Sequence, residues 1–108
     1  LKGSPSVVAS PDGPALVAAV GSSDLATAAM GDQLGGLATA FLAAGAAPRE
    51  AGGLALHYGG RAAELAGRGR ALLPPDVADR MHAAFADPGA ATSPTGLPFV
   101  LFDQPPRW

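Results

Sequence analysis

The spacing of apolar positions changes along the chain. Residues 6–9 and 15–20 read as short β-prone runs, Ser6-Val7-Val8-Ala9 and Ala15-Leu16-Val17-Ala18-Ala19-Val20. Between them stands Pro11-Asp12-Gly13-Pro14, where proline presets φ and glycine accepts left-handed backbone. A β-hairpin is predicted. From residue 32 the period becomes helical. Leu34, Leu37, Ala38, Phe41 and Leu42 fall at i, i+3, i+4, i+7 and i+8, one apolar stripe of a helix over 32–44. Gly45 suits its C′ position. Pro48 suits the first residue of a second helix over 48–66, with Ala51, Leu54, Ala55, Tyr58, Ala62 and Leu65 on its inner stripe. Gly67 and Gly69 end it, and Pro74-Pro75 open a third helix with Val77, Met81, Ala84 and Phe85 inward. His82 is offset from that stripe towards solvent.

Glycines inside the predicted helices cost helix propensity. Gly35 and Gly36 in the first, and Gly52, Gly53, Gly59 and Gly60 in the second, therefore predict close approach by another element. Residues 1–86 read as one α/β unit, 87–96 as a Pro/Ser/Thr/Gly linker and 97–108 as an apolar tail. An edge strand, a packing arm and a partner-binding segment are all open for that tail. Packing is favoured, because exposed apolar clusters of this size are uncommon.

Composition narrows the function classes. Alanine supplies much of the 48% hydrophobic content and aromatics only 6%, so large core side chains are few. A net charge of −2 lacks the basic footprint of a nucleic-acid binder. Without cysteine there is no disulfide or thiolate chemistry. The charge-free run over 33–48 is shorter than the ~20 apolar residues a bilayer span needs. No signal-peptide pattern stands at the N-terminus, and cytoplasm is the expected compartment. The chain begins at Leu1 rather than Met, as expected for part of a longer product. His57 and His82 lack metal-ligand spacing and there are no Cys ligands, so no zinc site is expected.

The candidate chemistry lies in Leu25-Ala26-Thr27-Ala28-Ala29-Met30-Gly31-Asp32-Gln33-Leu34-Gly35-Gly36. A small-residue loop running into a helix start leaves backbone N–H donors unpaired at the positive end of the dipole, a phosphate-binding arrangement. Asp32 there reads either as a helix N-cap or, beside a bound phosphate, as a general base or a residue that positions a metal. Asp24 reads as a turn residue, and His57 as a structural residue beside the core. Arg61, Arg68 and Arg70 read as a solvated basic edge.

The same stretch resembles the Leu-Ala-Thr-Gly-Gly-Thr-Gly-Asp-Val-Leu-Ala-Gly signature of NAD(P)H-hydrate dehydratases, members of the ribokinase-like superfamily. The likeness extends from Leu1-Lys2-Gly3 and Pro11-Asp12-Gly13 to Gly60-Arg61-Ala62-Ala63-Glu64-Leu65-Ala66. It implies the C-terminal part of a ribokinase-like fold: a hairpin, about three helices and a short extended tail. It also implies ADP- or ATP-dependent dehydration of hydrated NAD(P)H, with Mg2+ and a homo-oligomer by family habit. Lys2, Gly3, Ser4, Pro5 and Ser6 would line the nucleotide site and Gly31 would contact its phosphate. Asp32 would bind the hydrated nicotinamide and act as base. The family's His-Gly pair falls on Gly59-Gly60, so His57 takes no role from it. In place of Gly-Gly-Thr the chain has Ala28-Ala29-Met30, which adds side chains where an anion hole needs bare backbone. Two other readings stand beside the dehydratase: a related small-molecule kinase, which Lys2-Gly3 and the hairpin disfavour, and a non-catalytic structural or interaction module.

Overall fold

A computed structural model describes residues 1–18, 20–87 and 99–102. Two strands, β1 (Val7–Ser10) and β2 (Gly13–Ala18), precede a 3-10 turn at Ser23–Leu25. Three helices follow, α1 (Met30–Ala43), α2 (Pro48–Ala66) and α3 (Pro74–Ala86), and then β3 (Phe99–Phe102). The strands form one antiparallel sheet in the order β1-β2-β3. The architecture is the α/β hairpin-and-helices arrangement expected of a partial ribokinase-like fold.

The hairpin is tighter than its sequence pattern indicated. Ser10 pairs with Gly13, which draws Gly13 and Pro14 into β2, and the strand ends at Ala18 rather than at residue 20. Leu1 exchanges two backbone hydrogen bonds with Val7, each 2.8 Å, and so lies alongside β1. On the other flank β3 pairs with β2, Leu16 facing Leu101 in register. Of the three roles open for the tail, residues 99–102 take that of an added strand. The remaining linker and tail positions, 88–98 and 103–108, lie outside the described residues.

α2 is the central helix. Its sequence is rich in Ala and Gly along the faces that meet other elements, so backbones come close. A Cβ added at Gly52 would stand 3.1 Å from a Val8 methyl, and one at Gly60 would stand 3.0 Å from the backbone of Val20 and Gly21. Those two glycines bear out the expectation of close approach. Gly35 and Gly36 do not: among the described residues nothing lies within 4 Å of where their Cβ atoms would be. Gly36 instead faces a cavity.

The main core joins Met30, Ala62, Ala63, Leu72, Val77 and Ala84. α1 buries only Met30; Leu34, Leu37, Ala38 and Phe41 are half-buried and Leu42 is 46% exposed. The helical stripe is present, but part of it borders the cavity instead of a packed neighbour. Phe85, expected on the inner face of α3, is 48% exposed. It still meets Tyr58 with ring centroids 4.5 Å apart, and Phe41 closes the group at 5.9 Å from Tyr58. Gln33 Nε2 donates to the Pro74 carbonyl at 2.9 Å, tying α1 to the start of α3. Among the described residues, no helix is long and apolar enough to cross a membrane.

Candidate functional site

The segment before β1 is folded on itself by one hydroxyl. Ser6 Oγ accepts from the Gly3 amide at 3.1 Å and donates to the Gly3 carbonyl at 2.9 Å. Lys2, Gly3, Ser4, Pro5 and Ser6 all line a cavity of about 680 Å3, a size typical of small-molecule sites. Its opposite walls are the Val20–Ser23 loop, Met30, the Leu34–Leu37 face of α1 and the Gly59–Gly60 face of α2. Apolar and small side chains dominate, and among the described residues Lys2 brings the one cation of the lining.

Gly31 and Asp32 are not in that lining. Both are exposed on the first turn of α1, where amides have no intrahelical acceptor. Asp32 is not the N-cap. That position belongs to Ala29, whose carbonyl accepts from Gln33 N at 3.2 Å, so Asp32 is the third helical residue. Helix α1 therefore starts two residues earlier than the apolar period indicated, because Ala29 turns the chain into it with φ 67°. Among the described residues no hydrogen bond reaches the Asp32 carboxylate. Five of the seven expected site residues are thus gathered at the cavity, and two stand outside its lining.

The loop into α1 is locally organised. Ser22 Oγ accepts from the Asp24 amide at 3.1 Å and donates to the Asp24 carboxylate at 2.8 Å, while Thr27 Oγ1 donates to the Asp24 carbonyl at 3.1 Å. Asp24 is a turn residue, as its surroundings in the sequence indicated. His57 is buried in α2 and meets Tyr58 edge-on at 5.1 Å. The arginines are not a uniformly solvated edge. Arg61 donates to Asp87 at 2.7 Å and to Glu64 at 3.4 Å, and Arg68 pairs with Asp76 at 3.6 Å. The hydrogen bond to Asp87, with a smaller one to Glu64, holds the Arg61 guanidinium above its ordinary pKa. No group of three or more His, Cys, Asp or Glu among the described residues could hold a metal ion.

A profile of the NAD(P)H-hydrate dehydratase family matches residues 1–82, most of the chain. The chain belongs to the NAD(P)H-hydrate dehydratase family. Over 67 residues, 62% of its length, it is 46% identical to the bifunctional NAD(P)H-hydrate repair enzyme Nnr of Salinibacter ruber. The chain spans about one eighth of the length of that curated relative. No solved structure matches.

Family membership makes the loop residues informative. Where the family signature has Gly-Gly-Thr, Ala29 adopts a left-handed backbone while bearing a Cβ, a combination that costs roughly 1–2 kcal/mol. Met30 turns its thioether into the core, 3% exposed. Ala29→Gly is expected to stabilise the chain by about 1 kcal/mol, after the added entropy of the unfolded glycine is subtracted. A thermal midpoint raised by a few degrees is the expected reading, and a lowered midpoint would show that Ala29 is not strained. Sequence reasoning missed Gln33, Gly36, Gly59 and Met81 as lining residues. The unexplained helical glycines were the one available signal.

Proposed function

We propose that this chain is the nucleotide-binding portion of an enzyme that uses ADP or ATP to dehydrate hydrated NAD(P)H, returning the damaged cofactor to NAD(P)H. The observation that carries this reading is the family match over residues 1–82, joined to a cavity that gathers Lys2–Ser6 against α1 and α2. Residues 1–86 are the family portion, 87–96 a linker and 97–108 an added tail. A cytoplasmic setting and a homo-oligomeric assembly belong to the same family-based reading.

The roles follow from chemistry at each position. Apolar walls accept the nucleotide's ring system, and the Lys2 ammonium offsets phosphate charge at the rim. Gly3, Ser4, Pro5 and Ser6 line the nucleotide site beside it. Gly31 offers a first-turn amide to phosphate. Asp32 binds the hydrated nicotinamide and takes the proton from its hydroxyl as that oxygen accepts a phosphoryl group from ADP or ATP, releasing AMP or ADP. Loss of that group as inorganic phosphate, with a proton from the neighbouring ring carbon, then gives NAD(P)H. Mg2+ would be held mainly through nucleotide phosphates and water, since the described residues supply no ligand cluster of their own.

The buried Met30 favours a second reading. A thioether packed in the core at the family's threonine position suits a structural or interaction module that has lost its anion hole. Calorimetric titration with ADP separates the two. The chain is expected to bind ADP, and Lys2→Ala to weaken binding about five- to tenfold, the loss of one charge-assisted contact. An unchanged dissociation constant removes Lys2 from the site. No ADP binding by the unsubstituted chain leaves the structural reading in possession.

A further inference from the structure

We propose that Glu64 is a positioning residue for the cavity, holding the Val20–Gly21 wall in its ligand-receiving shape through the Gly21 amide. The ligand half of this claim rests on the nucleotide reading above; the geometric half rests on the contacts that follow.

Gly21 has φ 94°, a conformation open to glycine, and glycine has little preference of its own to keep it there. External contacts must set the direction in which the loop leaves β2. Two of them come from neighbouring turns of α2. At Gly60 the missing side chain lets the loop sit on the helix backbone: a Cβ there would lie 3.0 Å from Gly21 N and from the Val20 carbonyl carbon. One turn later, on the same face of the helix, Glu64 Oε1 accepts from the Gly21 amide at 3.3 Å. Gly60 supplies the seat and Glu64 the tie.

Glu64 is itself oriented. Its second oxygen, Oε2, accepts from Arg61 Nη1 at 3.4 Å. Arg61 is held in turn at the end of α3, with Nη2 donating to Asp87 Oδ2 at 2.7 Å and Nε to the Asp87 carbonyl at 3.0 Å. An isolated exposed ion pair contributes little, but an arginine fixed through two of its nitrogens presents its third in a constrained direction. The carboxylate is thereby divided, one oxygen for the arginine and one for the loop. Val20, Gly21 and Gly60 line the cavity, whereas Arg61 and Glu64 do not. Their influence on a bound molecule therefore passes through the Gly21 backbone.

The test follows amide exchange by NMR and ADP binding by calorimetry in the full 108-residue chain. Glu64→Ala is expected to speed exchange at Gly21 selectively and to raise the ADP dissociation constant about fivefold, the effect of one lost hydrogen bond to a charged acceptor. Glu64→Gln, which keeps an acceptor oxygen, is expected to bring both readouts back to within about twofold of the unsubstituted chain. Because the side chain is exposed, neither variant is expected to shift the thermal midpoint by more than about 2 °C. Gly21 exchange left unchanged by Glu64→Ala would overturn the proposal. So would faster exchange spread evenly over all the helices, the mark of general destabilisation. If the unsubstituted chain binds no ADP, the nucleotide reading falls, and Gly21 exchange alone decides for or against the tie.

Discussion

Asp32→Asn, tested with this chain joined to the rest of a ribokinase-like domain, is expected to lower turnover of hydrated NADPH by about 10²–10⁴. ADP affinity should change little. The substitution preserves shape and removes only the charge and the basic oxygen. Its structural cost is small, because Asp32 is exposed and no described residue hydrogen-bonds its carboxylate. What the fold loses is the favourable placement of a negative charge in the first turn of α1, worth roughly 0.3–1 kcal/mol. A large fall in kcat with an intact fold therefore isolates the chemical role. If kcat stays near that of the parent, Asp32 is a first-turn acid with no part in proton transfer, and the structural reading gains.

Met30→Ala is expected to destabilise the chain by about 2–5 kcal/mol, the range for truncating a buried methionine. Met30 is 3% exposed and belongs to the core group with Ala62, Ala63, Leu72, Val77 and Ala84. Most of those neighbours are small and have little side chain to move into the vacated space, so collapse around it is limited. Met30→Thr should also destabilise, since it removes volume and leaves a hydroxyl in need of a buried partner. Restoring the family's Gly-Gly-Thr in full thus combines opposed effects. Glycine at position 29 relieves a left-handed alanine, while threonine at position 30 opens the core. The triple variant should be less stable than Ala29→Gly alone. Urea denaturation measures all of these on one scale, and a Met30→Ala chain within about 1 kcal/mol of the parent would show that the site does collapse.

Much of the architecture could be read locally. Pro48 and Pro74-Pro75 marked the starts of α2 and α3 where the structure has them, because proline's fixed φ and missing donor suit a first turn. Pro11-Asp12-Gly13-Pro14 marked the hairpin for similar reasons of turn chemistry. The start of α1 was harder. Its apolar stripe begins at Leu34, and nothing in the residue type of Ala29 announces a positive φ.

The order of elements and membership of the NAD(P)H-hydrate dehydratase family were determined by the sequence alone. Turns, helix starts and a motif of a dozen residues are short-range signals, complete within a few turns of chain. The cavity is different in kind. It joins Lys2–Ser6, the Val20–Ser23 loop and faces of α1 and α2, and the Gly21–Glu64 hydrogen bond that braces it spans 43 residues. No period or spacing along the chain records which side chains meet over that distance. Only the tertiary structure decided that Met30 enters the core, that Asp32 stays outside the cavity lining, and that the backbone resting on Gly60 is that of Val20 and Gly21. Packing chooses among conformations that local propensity leaves open, and here it chose against the expectation of close approach at Gly35 and Gly36.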